Sequence, residues 1–200
     1  MSPAVRRWSC EEDEKMEYKL TTPLTREALA PLRAGDTVRL SGVVYTARDA
    51  AHGRMAEQLD RGEALPFTLA GAAVYYVGPT PERPGTVIGA AGPTTAGRMD
   101  AYTPRLLDLG LACMIGKGGR SQAVKEAVVR NGAVYLAAIG GAGALMAGSV
   151  KELEVIAWPD LGCEAVRRLV VEDMPLTVLL DSVGGALYKS GPEAYLASEE

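Results

Sequence analysis

Residues 86–120 read TVIGAAGPTTAGRMDAYTPRLLDLGLACMIGKGGR, two short apolar runs that each stop at a glycine-bounded loop carrying polar and cationic side chains. The first, with β-branched Thr86, Val87 and Ile88, halts at Gly92-Pro93. It predicts a buried strand over 86–91 that runs into a turn. Met99, Leu106, Leu107 and Leu109 then recur at helical spacing up to Gly110, which predicts a helix from about Ala96. Pro104 inside that pattern implies either a late start at the proline or a kink. A second strand is expected over 111–115, opening into Gly116-Lys117-Gly118-Gly119-Arg120.

In that arrangement Thr94 and Thr95 fall in the cap region, where hydroxyls and free backbone N–H groups point the same way and favour an anion. Arg98 follows Thr94 by four residues, so on one helical face a carboxylate would meet a hydroxyl, a guanidinium fork and the helix dipole together. Lys117, flanked by glycines, is held where bulk is unwelcome. A plainer reading stays open: Thr94 and Thr95 cap a helix for structural reasons alone, and Lys117 is a solvated turn residue.

An anion would have to be caught locally, because the net charge is −4 and no Lys/Arg block exists to make a nucleic-acid footprint. No apolar run reaches membrane-spanning length and the N-terminus lacks an apolar signal core, so a cytoplasmic protein is expected. Three cysteines are the number that holds a [4Fe–4S] cluster with one open iron. Cys10, Cys113 and Cys163 nevertheless share no CxxC spacing, which argues against ligation by this chain. Unpaired thiols suit a reducing compartment.

Residues 1–15 are polar and charged and are expected to form a mobile tail, with 16–200 as a single domain. A short strand is predicted at 18–20 and a helical turn capped by Thr25. TVRLSGVVYT over 37–46 alternates and is rich in Val and Thr, as a half-buried strand requires. It delivers Arg48, Asp49 and His52 to the start of a helix whose apolar stripe is Ala51, Met55 and Leu59. Arg48 and His52 share another face of that helix, with Asp49 three residues from His52. A lone histidine in such a place is more often structural or solvated than a catalytic base. A further alternating run lies over 65–77, and the proline-rich 78–85 continues neither strand nor helix.

Ser121 caps a predicted helix with Val124, Ala127 and Val128 on one face, closed by Asn131-Gly132. A strand over 133–139 leads to a glycine loop and a small-residue helix at 140–148. That loop matches neither GxxxxGK[ST] nor GxGxxG, and its small residues suit close packing. Strands are expected at 154–158, 165–171 and 176–180, with turns at 173–175 and 181–185. Glu164 and Arg167 form a candidate structural pair.

YTARDAAH (45–52), GPTTAGRMD (92–100), IGKGG (115–119), GGAGALMA (140–147), WPDLGCEAV (158–166) and VEDMPLTVLLDSVGG (171–185) together resemble the β subunit, or C-terminal domain, of class I fumarases and L(+)-tartrate dehydratases. The likeness covers nearly the whole chain after about Met16. It implies an α/β fold, a swivelling β/β/α domain with a mixed sheet and flanking helices. It also implies an iron–sulfur hydro-lyase split over two chains, in a heterodimer or heterotetramer, with the [4Fe–4S] cluster on the partner α subunit and none held here. By motif match, Arg48, Arg98 and Lys117 would bind the carboxylates of a small dicarboxylate substrate. Thr94 would be the candidate base for the C3 proton, and Asp49, His52 and Thr95 would support the site. A carboxylate-binding or phosphate-binding module without catalysis is the competing reading.

Overall fold

The alternating segment 37–46 forms β2 (Thr37–Thr46) in a computed structural model that describes residues 16–197. Val38, Leu40 and Val44 point to one side and are fully buried, because successive side chains of a strand face opposite ways. One edge of β2 pairs in parallel with β1 (Glu17–Thr21) and then with β3 (Ala73–Tyr75). The other edge pairs antiparallel with β7 (Val166–Leu180) along its whole length. From β3 the sheet continues in parallel through β4 (Cys113–Gly116) to β5 (Val134–Ala137). β5 then pairs antiparallel with the C-terminal end of β7, so β2, β3, β4, β5 and β7 close a circuit. β6 (Val150–Ala157) adds to the N-terminal half of β7. This is a mixed seven-stranded sheet flanked by helices.

Register sorts the side chains into two cores. Tyr75, Ile115 and Leu136 are aligned across three strands and join Val38, Leu40, Val44 and Val178 inside the circuit. Val74, Met114 and Tyr135, one residue earlier on each strand, face outward beneath the helices. Those helices are α2 (Asp49–Asp60), α3 (Thr103–Asp108) and α4 (Gln122–Asn131), which contribute Met55, Leu107 and Val128 to this outer core. α4 follows its sequence signals: the Ser121 hydroxyl accepts from the Val124 N–H at 3.4 Å, and Gly132 closes the helix at φ 62°, where a side chain would be strained. The Thr25 hydroxyl caps α1 (Arg26–Leu29) in the same way.

Several expectations fail for identifiable reasons. Residues 86–91 are a bent loop rather than a strand. The Thr86 hydroxyl donates to the Arg83 carbonyl and accepts its N–H, and the Ala90 N–H donates to the Thr80 hydroxyl, so these groups bond locally instead of to a ladder. The helix expected from Ala96 is a single 3₁₀ turn, Ala96–Met99, and the α-helix starts late, with Pro104 in its first turn. The run over 65–77 yields only β3, and the second strand begins at Cys113, two residues late. No turn interrupts 173–175. β7 runs through it with a bulge of its own, in which Glu172 and Asp173, the latter at φ 47°, face the single residue Ser41 of β2, and Pro175 pairs with Arg39. The glycine loop at 140–148 packs closely, as its composition suggests: the Gly143 carbonyl accepts from the Ala91 N–H at 2.9 Å, and α5 (Gly143–Gly148) follows. The C-terminal helix α6 (Leu187–Ala197) buries no residue and contains Pro192, so no apolar stripe announces it. The expected tail, with Cys10, and the terminal Glu199 and Glu200 lie outside the described residues. Among those described, no helix is long and apolar enough to cross a membrane.

Arg120 ends the second glycine loop, but its side chain is fully buried. The guanidinium lies 5.4 Å from the Tyr76 ring and 5.0 Å from the Tyr135 ring. Its Nε donates to Asp100 Oδ1 at 2.6 Å and its Nη2 to the Thr103 hydroxyl at 2.8 Å. Asp100 Oδ2 in turn accepts the Ser121 N–H. The pair therefore ties loop 116–120 to segment 96–103. Arg120→Ala leaves a partly buried carboxylate without its cation and should cost about 3–5 kcal/mol of stability in urea unfolding. A loss below about 1 kcal/mol would show that the pair holds nothing together.

Candidate functional site

β2, β3, β4 and β5 run parallel, so the segments leaving their C-terminal ends gather along one edge, the usual ligand side of such sheets. Arg48 follows β2 by two residues and starts α2. Gly78 follows β3. A Cβ there would stand 2.6 Å from Arg48 Nη1, so glycine is what lets the guanidinium lie in this gap. Thr94 is stitched between strand ends: its N–H donates to the Tyr76 carbonyl at 2.8 Å, and its carbonyl accepts the Lys117 N–H at 3.3 Å. The Ala96 N–H donates to the Lys117 carbonyl at 2.8 Å, which completes a short parallel bridge between Thr95 and Lys117. The Lys117 stem passes over Gly140, beyond β5. Arg98 sits on the 3₁₀ turn that follows, half-exposed. Arg48, the segment carrying Thr94 and Arg98, and Lys117 thus leave the same end of the sheet on three stretches of chain, with Thr95 exposed.

The charges on this edge are linked. Arg48 Nη2 lies 3.3 Å from Glu164 Oε1 and 3.9 Å from Asp49 Oδ2, and Arg98 Nη1 lies 3.7 Å from that same Asp49 oxygen. Glu164 Oε2 accepts the Ala50 N–H at 3.1 Å. It caps the first turn of α2, where Arg48 itself supplies no side-chain cap. Arg48 Nε and Asp49 Oδ1 are buried without partners. Glu164 does not pair with Arg167, contrary to the sequence reading, because Arg167 donates to the Gly162, Cys163 and Ala165 carbonyls instead. Glu164 is the site-edge residue that sequence reasoning missed. It comes from the 3₁₀ segment Pro159–Glu164, more than a hundred residues from α2, and no local spacing signals the meeting.

The anion cradle anticipated at Thr94 and Thr95 takes another form. Thr95 occupies the cap position without a side-chain cap bond, and the Thr94 N–H is already spent on Tyr76. The 3₁₀ turn begins only at Ala96, so Thr94 and Arg98 do not share one helical face, and Arg98 lies near Asp49 instead. Cations and a hydroxyl, rather than a helix dipole, define the edge. The cavities of about 130 Å³ beside Tyr135 and Tyr188 and about 210 Å³ beside Arg26 and Asn131 are lined by other residues. The described residues give no cradle for an iron–sulfur cluster. Cys113 is buried in β4 with its thiol pushed far up by burial, Cys163 is exposed beside Glu164, and among the described residues no three His, Cys, Asp or Glu side chains gather as a metal set.

Comparison with known proteins places these residues in context. The family model described as Fumarase C-terminus matches residues 2–191. A fumarate hydratase class I, aerobic, of Salmonella typhimurium is 38% identical over 182 residues, 89% of this chain and 31% of its own length. Fumarate hydratase 2 of Leishmania major is 38% identical over 87% of this chain and 31% of its own. The chain thus spans about a third of these relatives. A Methanocaldococcus jannaschii protein with the provisional name L(+)-tartrate dehydratase subunit beta is also 38% identical, over 87% of this chain and 92% of its own length.

His52 does not stand on a solvated face beside Arg48. It is fully buried, with Nδ1 2.9 Å from the Arg48 carbonyl oxygen and its ring edge-on to Tyr76 at 5.4 Å. The carbonyl is an acceptor only, so the neutral ring donates from Nδ1 and leaves Nε2 without a partner. Burial lowers its pKa from 6.5 to about 4. The folded state therefore binds fewer protons than the unfolded chain between those values, and stability falls as the proton concentration rises. This contribution is fully present above pH 6.5 and should be lost by roughly 3 kcal/mol as the pH drops to about 4. Urea midpoints measured across that window should show the loss in the wild type and a flatter profile in His52→Gln. Equal slopes would mean that His52 titrates normally.

Proposed function

Because the chain belongs to the Fumarase C-terminus family, we propose that it is the carboxylate-binding part of an iron–sulfur hydro-lyase that reversibly hydrates fumarate to L-malate. The observation that supports this reading is that Arg48, Thr94, Arg98 and Lys117 all follow the C-terminal ends of parallel strands, with Arg48 and Arg98 linked through Asp49 and Lys117 joined to Thr94 through the backbone. A C4 dicarboxylate needs cations at both ends. Arginine forks suit a planar carboxylate, and lysine supplies a mobile point charge. Arg48 and Arg98 share an anionic neighbour in Asp49, so they are the pair that takes one carboxylate, and Lys117 takes the other. The Thr94 hydroxyl, on the segment that carries Arg98 and is bonded to Lys117 through the backbone, is the candidate group that removes the C3 proton during dehydration. Threonine is a weak base in water, and its alkoxide would require several kcal/mol of stabilisation from nearby cations and from exclusion of solvent. The alternative role for Thr94 is hydrogen bonding of the substrate.

The edge is open, and a second chain has to cover it. We assign that role to an α subunit that carries the [4Fe–4S] cluster, in a cytoplasmic heterodimer or heterotetramer, with residues 16–200 swivelling as one domain over it. Two observations support this. Relatives named fumarate hydratases are about three times as long as the matched segment, and a relative of matching length is named a β subunit. Ile139 and Leu145, exposed on either side of the glycine loop that Lys117 crosses, give such a partner apolar surface to bury. The same relative supports L(+)-tartrate, dehydrated to oxaloacetate, as the second substrate reading.

Co-expression with a cluster-bearing partner, reconstitution without oxygen and measurement of fumarate loss test the reading. The isolated chain should show no turnover whatever iron is added, and activity from it alone would refute the division of labour. In the complex, Arg98→Ala should lower kcat/KM by at least two orders of magnitude, the scale of a lost charge-assisted carboxylate contact. A near-wild-type value would remove Arg98 from the site.

A further inference from the structure

We infer that Asp49 is an internal stand-in for a substrate carboxylate, and that Glu164 is the positioning residue that keeps Arg48 in place when Asp49 yields. The inference rests on the carboxylate-binding reading above. Asp49 Oδ2 lies between the two guanidiniums, 3.9 Å from Arg48 and 3.7 Å from Arg98, and neither approach is a hydrogen bond. Its other oxygen is buried without a partner, as is Arg48 Nε, so the resting arrangement leaves strong hydrogen-bonding groups unused. Glu164 is held differently, although its contact with Arg48 is likewise an ion pair only. It is closer to Arg48 at 3.3 Å, its side chain is 21% exposed against 40% for Asp49, and its second oxygen is fixed on the Ala50 N–H.

Charge counting points the same way. With Asp49 and Glu164 both present, Arg48 and Arg98 are neutralised and only Lys117 remains in excess. If the Asp49 side chain turns to solvent, three cations less the one retained anion balance the two charges of a dicarboxylate. Asp49 is the first residue of α2. A rotamer change moves its carboxylate aside without unwinding the helix, and in the first turn it keeps its favourable place near the helix dipole. A carboxylate entering the vacated position meets the donors that Asp49 approaches only loosely.

The two acidic residues should therefore respond oppositely to the same loss of charge. Succinate, an unreactive C4 dicarboxylate, is titrated into the isotope-labelled chain while the arginine Nε–H resonances of Arg48 and Arg98 are followed. Asp49→Asn should tighten binding about threefold, the scale of a partly exposed ion pair. Glu164→Gln keeps an oxygen for the Ala50 N–H, removes the charge that holds Arg48, and should weaken binding by a similar factor. Glu126→Gln, on the exposed face of α4, makes the same change in net charge and should leave affinity unaltered. Wild-type binding that Arg98→Ala abolishes but Asp49→Asn does not tighten would overturn the stand-in while the carboxylate site survives. Tightening by both Asp49→Asn and Glu164→Gln would reduce the effect to net charge and overturn the positioning role. If neither arginine resonance responds to succinate in any variant, the carboxylate site falls and this inference falls with it.

Discussion

The two-sided pairing of β7 organises this protein. One edge of that fifteen-residue strand accepts β2 along its length, and the other takes β6 and then β5. Since β2 is already joined to β5 through β3 and β4, β7 closes the sheet on itself and leaves few open edges. Closure fixes the inward set of each strand, because a one-residue slip would turn Tyr75, Ile115 and Leu136 out and Val74, Met114 and Tyr135 in. It also holds four parallel strands in one direction, so their C-terminal ends share a rim.

The arrangement of that rim depends on backbone as much as on side chains. Thr94 and Lys117 are joined by main-chain hydrogen bonds to each other and to the end of β3, so their spacing does not depend on flexible contacts. Behind them Arg120 and Asp100 lock the loop from inside. One loop thus carries a cation, Lys117, at the rim and another, Arg120, buried in the fold. Arg48 is held by the gap at Gly78, by Glu164 and by a carbonyl that accepts from both the His52 N–H and its ring. A neutral, buried His52 supports that carbonyl without adding charge to the edge.

Legibility in the sequence followed the range of the interactions. The strand over 37–46, the Thr25 and Ser121 caps and the glycine stop of α4 all depend on neighbours within a few residues. All of them were readable. Arg48, Thr94, Arg98 and Lys117 were picked out as residue types at loop positions, and by their resemblance to a family pattern. Position 86–91 was misread because its hydroxyl bonds to residues 80 and 83 compete with ladder pairing. Residues 173–175 were misread because a bulge absorbed turn-forming chemistry. The Glu164–Arg167 spacing suggested a pair, yet three carbonyls outcompeted Glu164 for Arg167.

By itself, then, the sequence determined local conformation, the amphipathic faces and the stock of cations and hydroxyls at strand ends, since each is set by covalent geometry and near neighbours. Only the tertiary structure decided that Glu164 caps α2, that Arg120 is buried between two tyrosines while Lys117 stays outside, and that one carboxylate lies between Arg48 and Arg98. Those outcomes join residues up to more than a hundred positions apart. They depend on strand order and closure, which no local period encodes.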